Sequence, residues 1–217
     1  MIASFKWALA SLAAAWLAAC TGSLFQSKAT PPAIYILSAG HASPAGAAAA
    51  SPAAEIPVDL AVLKPRVRVG LESDRIAVLY PDRRLDYFAD ARWSGPLGEV
   101  LQDLAVQEFH LRAKLRTVGA DASVFASAYW LELEVEEFQA EYTSAATAPT
   151  VHVHFLARIG SSGDRHILGD LVASAQQPAA ENRLTSIVDA YARAADAALA
   201  EIVVHAGELL AKTSETP

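Results

Sequence analysis

The chain has 217 residues, a formal net charge of −7 and a single cysteine. One cysteine excludes an intramolecular disulfide. The acidic balance, together with the lack of any polybasic run, disfavours nucleic acid as a partner.

The first 19 residues have the pattern of a secretory signal. Residues 1–19 carry one positive charge, Lys6, followed by the apolar run WALASLAAAWLAA, which is short for a membrane span. Cys20 follows at once in the stretch LAACTG, and the small residues before it resemble the lipobox of bacterial lipoproteins, in which the cysteine is acylated. We therefore expect a signal peptide at 1–19 and a lipid anchor, with a palmitate-type chain, at Cys20. The alternative is cleavage at an A-x-A site elsewhere, which would leave Cys20 as a spare thiol.

A lipid anchor at Cys20 implies a protein tethered to the cell envelope. Several acyl chains hold a protein on a membrane stably, whereas one chain does so only marginally. No later stretch has the length of a membrane span, so we expect the rest of the chain to be soluble and extracytoplasmic. Removing residues 1–19 gives a mature charge of −8. Because enterobacterial lipoproteins are kept in the inner membrane by an aspartate after the cysteine, Thr21 favours the periplasmic leaflet of the outer membrane by resemblance.

Residues 20–57 are predicted to form a lipidated tether and linker. They are dominated by Ala, Ser, Pro and Gly, with the low-complexity stretch HASPAGAAAASPAAEIP, which has little to pack into a core. The stretch AIYILS at 33–38 alternates bulky β-formers and is a candidate edge strand. A single folded domain is expected at 58–213.

The domain opens with strands and a helix. The stretches VDLAVLKPRVRV and DRIAVLYPDRRLDYFADARW read as short strands joined by turns. A helix follows, with Ser94 as its predicted N-cap and Pro96 in its first turn. Its apolar residues recur at helical spacing, and Glu108 is predicted at the margin of that stripe.

The second half of the domain alternates as a sheet does and ends in a helix. YWLELEVEEF and VHVHFLARI each place apolar residues at every second position, and His166 to Ala175 is predicted to return antiparallel as a third strand. A long helix is predicted from about Asn182 to Leu210. These patterns predict the α+β class, with a largely antiparallel sheet and two main helices packed on one face.

The sequence gives little support for a catalytic function. His152 and His154 project from the same face of a predicted strand and could share a metal with Glu132, Glu134 or Glu136, but cross-strand Glu/His pairing on a wet face is the favoured interpretation. No nucleophile elbow or phosphate-binding Gly-rich loop is present. We expect no catalytic residue, no metal and no cofactor, and therefore no enzyme.

The residues before and within the first helix carry a family resemblance. Arg92-Trp93-Ser94-Gly95-Pro96-Leu97 resembles the pattern RWaePL of the auxiliary lipoproteins of ABC-type transporters, a family that includes the lipoprotein of paraquat-inducible, MCE-type systems. The order of lipobox, Pro-rich spacer, IYILS strand, Glu-rich strand and Ala-rich C-terminal helix is similar too. Ser94-Gly95 departs from the commoner Ala-Glu pair.

The resemblance implies a periplasmic, non-enzymatic partner of an MCE-domain protein and an ABC permease/ATPase complex, assisting the movement of lipids or other hydrophobic molecules. It leaves homo-oligomerisation open. Arg92, Trp93, Pro96 and Leu97 are then either a partner interface or the architecture that starts the helix, and Trp130 and Tyr142 are further candidates for an exposed binding surface. The alternatives are a structural or assembly lipoprotein of the outer membrane and, less favoured, a histidine-based metalloenzyme.

Overall fold

The computed structural model describes residues 31–40, 55–120, 125–144 and 146–214. Within them lie two helices, α1 (Leu97–Arg112) and α2 (Leu184–Ser214). The strands are β1 (Ala33–Tyr35), β2 (Ile56–Val62), β3 (Arg66–Val67), β4 (Arg75–Leu79), β5 (Leu85–Trp93), β6 (Leu115–Gly119), β7 (Tyr129–Glu141), β8 (Thr150–Ser161) and β9 (Ile167–Pro178). The predicted α+β class is confirmed.

Strand β7 organises the sheet. One edge of β7 pairs antiparallel with β8 along its length, and β8 pairs antiparallel with β9. The opposite edge is shared by three segments in succession, β2, β3 and β4, all parallel to β7. Strand β6 adds to β2 in parallel, β5 to β4 antiparallel, and β1 to β5 in parallel. The sheet is therefore mixed, with its long ladders antiparallel and its short ladders parallel.

The alternation predicted for β7 and β8 decides which face is buried. Leu131, Leu133 and Val135 of β7 and the corresponding residues of β8 are fully buried beneath the helices. A bulge between Val135 and Glu137 inserts one extra residue in β7, after which Phe138 resumes the buried set. The opposite face has no helix in the described part of the chain, and we call it the open face.

The start of α1 differs from the prediction. Pro96, not Ser94, occupies the N-cap position, and no side chain caps the helix. The first helical N–H, that of Leu97, instead donates to the carbonyl oxygen of Ser73 at 3.2 Å. A loop from elsewhere in the chain therefore takes the role that a capping side chain serves locally.

One further expectation is corrected by packing between distant segments. Glu108 lies fully buried and not at the margin of the helix stripe. Strand β6 was not predicted from the sequence, and it pairs with β2, far away in the chain. Neither helix in the described residues is long and apolar enough to cross a membrane.

Candidate functional site

The motif of 92–97 divides between the surface and the core. Trp93 is 2% exposed and Leu97 is likewise buried, whereas Arg92 and Pro96 are exposed. A guanidinium nitrogen of Arg92 lies 3.2 Å from a carboxylate oxygen of Asp74. Trp93 and Leu97 therefore belong to the hydrophobic core and support the fold. Arg92 and Pro96 lie at the surface, where a partner could contact them.

Trp93 is fixed within an aromatic cluster between the sheet and α2. Its ring meets Tyr191 edge-on at a centroid distance of 5.3 Å and Phe138 at 6.0 Å. The hydroxyl of Tyr191 donates to the carbonyl oxygen of Ala77 at 2.5 Å, and burial raises the pKa of Tyr191. Such pairs add about 0.5–1.5 kcal/mol each beyond the area they bury. The tryptophan of the motif thereby ties β5 to α2.

The chain after β1 is held at the crossing of the two helices. The backbone N–H of Gly40 faces two carboxylate oxygens, Glu108 Oε1 at 3.2 Å and Asp196 Oδ1 at 3.0 Å. One residue earlier, the N–H of Ala39 donates to the Gln107 side chain at 3.2 Å. We call the group of Gly40, Glu108, Arg112 and Asp196 the clamp.

The clamp contains two buried acids and one partly buried arginine. Glu108 and Asp196 are both fully buried, and Arg112 Nε lies 2.5 Å from Glu108 Oε2 and its Nη2 lies 3.4 Å from Asp196. Burial, reinforced by the neighbouring Asp196, raises the pKa of Glu108 to about 7. At neutral pH the carboxyl group of Glu108 is therefore close to half protonated. Glu108 and Arg112 are one helical turn apart, but Gly40 and Asp196 are far from them and from each other in the chain, so sequence spacing gave no signal that the four residues meet.

The open face carries a network of ion pairs. Arg66 lies 3.3 Å from Glu132 and 3.4 Å from Glu134, and Arg158 lies 3.4 Å from Glu132 and 3.0 Å from Asp170. These pairs are partly exposed, so each contributes little stability. Their regular alternation leaves a hydrated, charged surface.

Each of the two histidines faces one glutamate, but only His154 meets one of the three that were predicted, since the partner of His152 is Glu141. His152 lies 3.7 Å from Glu141 and His154 lies 3.5 Å from Glu136, while Glu132 is engaged by arginines. In the described ranges no three His, Cys, Asp or Glu side chains gather closely enough to hold a metal ion. The structure thus brings the histidines to Glu/His pairs of the kind favoured from the sequence.

The two aromatic surface candidates are both partly covered. Trp130 lies over Gly160, and its Nε1–H donates to the carbonyl oxygen of Ser161 at 3.3 Å. Tyr142 stacks on Tyr80 at 5.6 Å and its hydroxyl hydrogen-bonds to Asn182. Cys20, the predicted lipid anchor, lies outside the described residues.

A sequence model of the ABC-type transport auxiliary lipoprotein component family matches residues 35–203. The chain belongs to this family. The match spans the elements from β1 to most of α2 and includes the clamp and the motif of 92–97. The resemblance to this family is confirmed, and the family is one of lipoproteins that are auxiliary components of ABC-type transport.

Solved structures share the fold. Protein XCC0632 from Xanthomonas campestris matches with a TM-score of 0.72 at 22% identity, covering 85% of this chain and 99% of its own. An uncharacterized protein matches at 0.60 and 13% identity, covering 82% and 98%. The protein CT253 of Chlamydia trachomatis matches at 0.51 and 10% identity, covering 72% and 99%. A search of curated protein sequences finds no significant match.

Proposed function

We propose that this protein is a periplasmic, lipid-anchored accessory subunit of an ABC/MCE-type transport system. It is attached through Cys20 to the periplasmic leaflet of the outer membrane and docks on the transporter's periplasmic part. In this position it assists the transfer of lipids or other hydrophobic molecules between the inner and outer membranes. The observation that carries the proposal is the family match over residues 35–203.

The clamp supports a docking role. A docking surface needs a fixed shape. Here the chain at 33–40 joins the sheet as β1 and then fastens to both helices at Gly40. The surface that β1 presents is therefore held in place on the folded head.

The docking surface that we assign lies where β1 meets β5. Ile34 is 68% exposed and Ile36 is 73% exposed. In the ladder Ile34 stands opposite Arg92, the surface residue of the family motif. In the described part of the chain β1 has no strand on its outer edge. Exposed apolar side chains beside an arginine, at an open edge, are the composition that protein interfaces favour.

The test is crosslinking and pull-down from native membranes with a C-terminally tagged full-length protein, followed by mass spectrometry. We expect an MCE-domain protein and the permease/ATPase complex, with recovery weakened in Cys20→Ala. Recovery of outer-membrane assembly proteins alone would contradict the proposal and favour the structural-lipoprotein alternative. A second, differently tagged copy in the same cells reports whether the protein self-associates.

The lipid anchor is tested separately. Metabolic labelling with palmitate should mark the wild-type protein and leave Cys20→Ala unlabelled. Membrane fractionation should then place the labelled protein with the outer membrane. Label that persists in Cys20→Ala would contradict anchoring at this residue.

A further inference from the structure

A cleft of about 440 Å³ opens on the open face. Its walls are the loop that follows β3, the turn between β4 and β5, and the second half of β7. The loop is held by Tyr87, whose hydroxyl donates to the carbonyl oxygen of Gly70 at 2.7 Å. Gly70 has a φ of +94°, and a Cβ there would lie 2.9 Å from Leu85, so the loop sits tightly against the hairpin. The cleft is therefore built by fixed backbone.

The cleft holds charges of both signs that do not pair with each other. Arg68 and Arg83 line it together with Glu136, Glu137 and Glu141. Within the described residues no ion pair is formed by Arg68, Arg83 or Glu137. Arg66 and Arg158, elsewhere on the open face, are both paired with acids. Opposite charges that share a cleft beyond contact distance can be bridged by a ligand that carries both signs.

The bulge in β7 gives the cleft its acidic side. In a regular strand Glu136 and Glu137 would point to opposite faces. Because the register shifts between Val135 and Glu137, both line the same cleft, and Glu137 stands opposite His154. Bulges commonly redirect side chains near functional sites.

We propose that this cleft binds an aminoalkyl phosphodiester, the chemistry of a glycerophosphoethanolamine headgroup. The guanidinium groups of Arg68 and Arg83 supply planar donors for the phosphate oxygens. The primary ammonium donates up to three hydrogen bonds, for which the glutamates are acceptors. The glutamates would repel a purely anionic ligand, and the arginines would repel a purely cationic one.

The rim of the cleft suits a ligand that is attached to an apolar chain. Val69 is 85% exposed and Leu85 is 39% exposed, and both line the cleft. If the protein is anchored to a membrane as proposed above, on which this step rests, lipid headgroups are present at the surface to which it is attached. A lipid is then the favoured source of the headgroup.

The proposal is tested with the full-length lipidated protein in a neutral detergent. Glycerophosphoethanolamine is titrated and binding is followed by calorimetry or by NMR of the ligand. We expect saturable binding, and binding at least about tenfold weaker for glycerophosphocholine, whose ammonium has no N–H, and for glycerophosphoglycerol, which has no cation. Equal binding of the three esters, or no binding of the first, would overturn the proposal.

Three variants locate the site. Arg83 has a φ of +64°, a conformation that asparagine tolerates, so Arg83→Asn removes the charge with little strain. Arg83→Asn and Glu137→Gln should each weaken binding by about tenfold. Arg84→Gln is the matched control, because the neighbouring Arg84 is already paired with Asp86 at 2.8 Å, and should bind as wild type. Unchanged affinity in Arg83→Asn and Glu137→Gln would exclude the cleft.

Phosphatidylethanolamine added to the same micelles identifies the source of the ligand. Displacement of the bound ester supports a lipid headgroup, and binding that persists supports the free ester as the ligand of the same cleft. No transporter is present in this measurement. A failed pull-down with intact headgroup binding would therefore count against the proposed docking alone, and the reverse result would count against the cleft alone.

Discussion

The backbone N–H of Gly40 donates to a carboxylate oxygen of Asp196 at 3.0 Å, across 156 residues of chain. The same N–H lies 3.2 Å from Glu108. A residue within the stretch predicted as tether and linker, 20–57, is thus bound to the last helix of the domain. Since a buried carboxylate requires partners, this N–H and the guanidinium of Arg112 are what allow two acids to lie at the helix crossing.

Glu108 should make stability depend on pH. Its pKa is raised from 4.5 to about 7 in the folded protein, so the folded state binds more protons than the unfolded state between these values. Stability should therefore fall as pH rises through this window, by about 3 kcal/mol at most. Glu108→Gln should flatten this dependence in urea unfolding measured at several pH values. A slope that is the same in wild type and variant would contradict the assignment.

The two neighbouring residues of the motif should separate stability from docking. Trp93→Ala removes a ring from the aromatic cluster and should cost about 3–5 kcal/mol. Arg92→Ala removes an exposed ion pair with Asp74 and should change the free energy of unfolding by less than about 1 kcal/mol. Denaturant unfolding measures both. A large loss in Arg92→Ala would show that the surface half of the motif also supports the fold.

Ile34 and Ile36 should matter to the partner and not to the fold. Because both side chains are more than two-thirds exposed, the double substitution to Asp should leave the melting temperature close to that of wild type. It should strongly reduce recovery of the transporter in the pull-down. Val204→Asp is the matched control, since Val204 is 54% exposed on α2, away from the motif. Equal recovery in all three proteins would move the docking surface elsewhere.

Gly160→Ala should displace Trp130. A Cβ at position 160 would lie 2.2 Å from the indole ring, so the ring must move off the open face. Trp93 and Trp130 are the only tryptophans after Cys20, and Trp93 is buried. A red shift of the emission of the mature protein would therefore report exposure of Trp130. An unchanged spectrum with unchanged stability would show that the ring has room to adapt.

The sequence predicted what depends on local periodicity. Leu131, Leu133 and Val135 are buried as alternation requires, and the two apolar helix stripes pack on one face of the sheet. It could not predict what depends on distant partners. The distant partners of buried Glu108 are Gly40 and Asp196. The carbonyl group that accepts from the first N–H of α1 belongs to Ser73, and the bulge at 136 redirects a glutamate without any local signal.

The candidate site follows the same division. The motif of 92–97 is one short stretch, so the sequence alone could point to it. The stretch around Cys20 is equally short, and Cys20 as the lipid anchor stays a prediction. The cleft could not be found from the sequence, because Arg68, Arg83 and Glu137 come from three elements and their separation without pairing exists only in the folded chain. The sequence around a charged residue does not show whether an oppositely charged residue will lie next to it in the folded protein.

The parallel pairing of β1 with β5 also has a mechanical consequence. A pull on the chain ahead of Ala33, directed along the strand, loads the β1–β5 hydrogen bonds together in shear and does not peel them one at a time. Behind β1, the bonds at Ala39 and Gly40 pass the same force into both helices. A load applied ahead of Ala33 would thus be shared between β5 and the two helices.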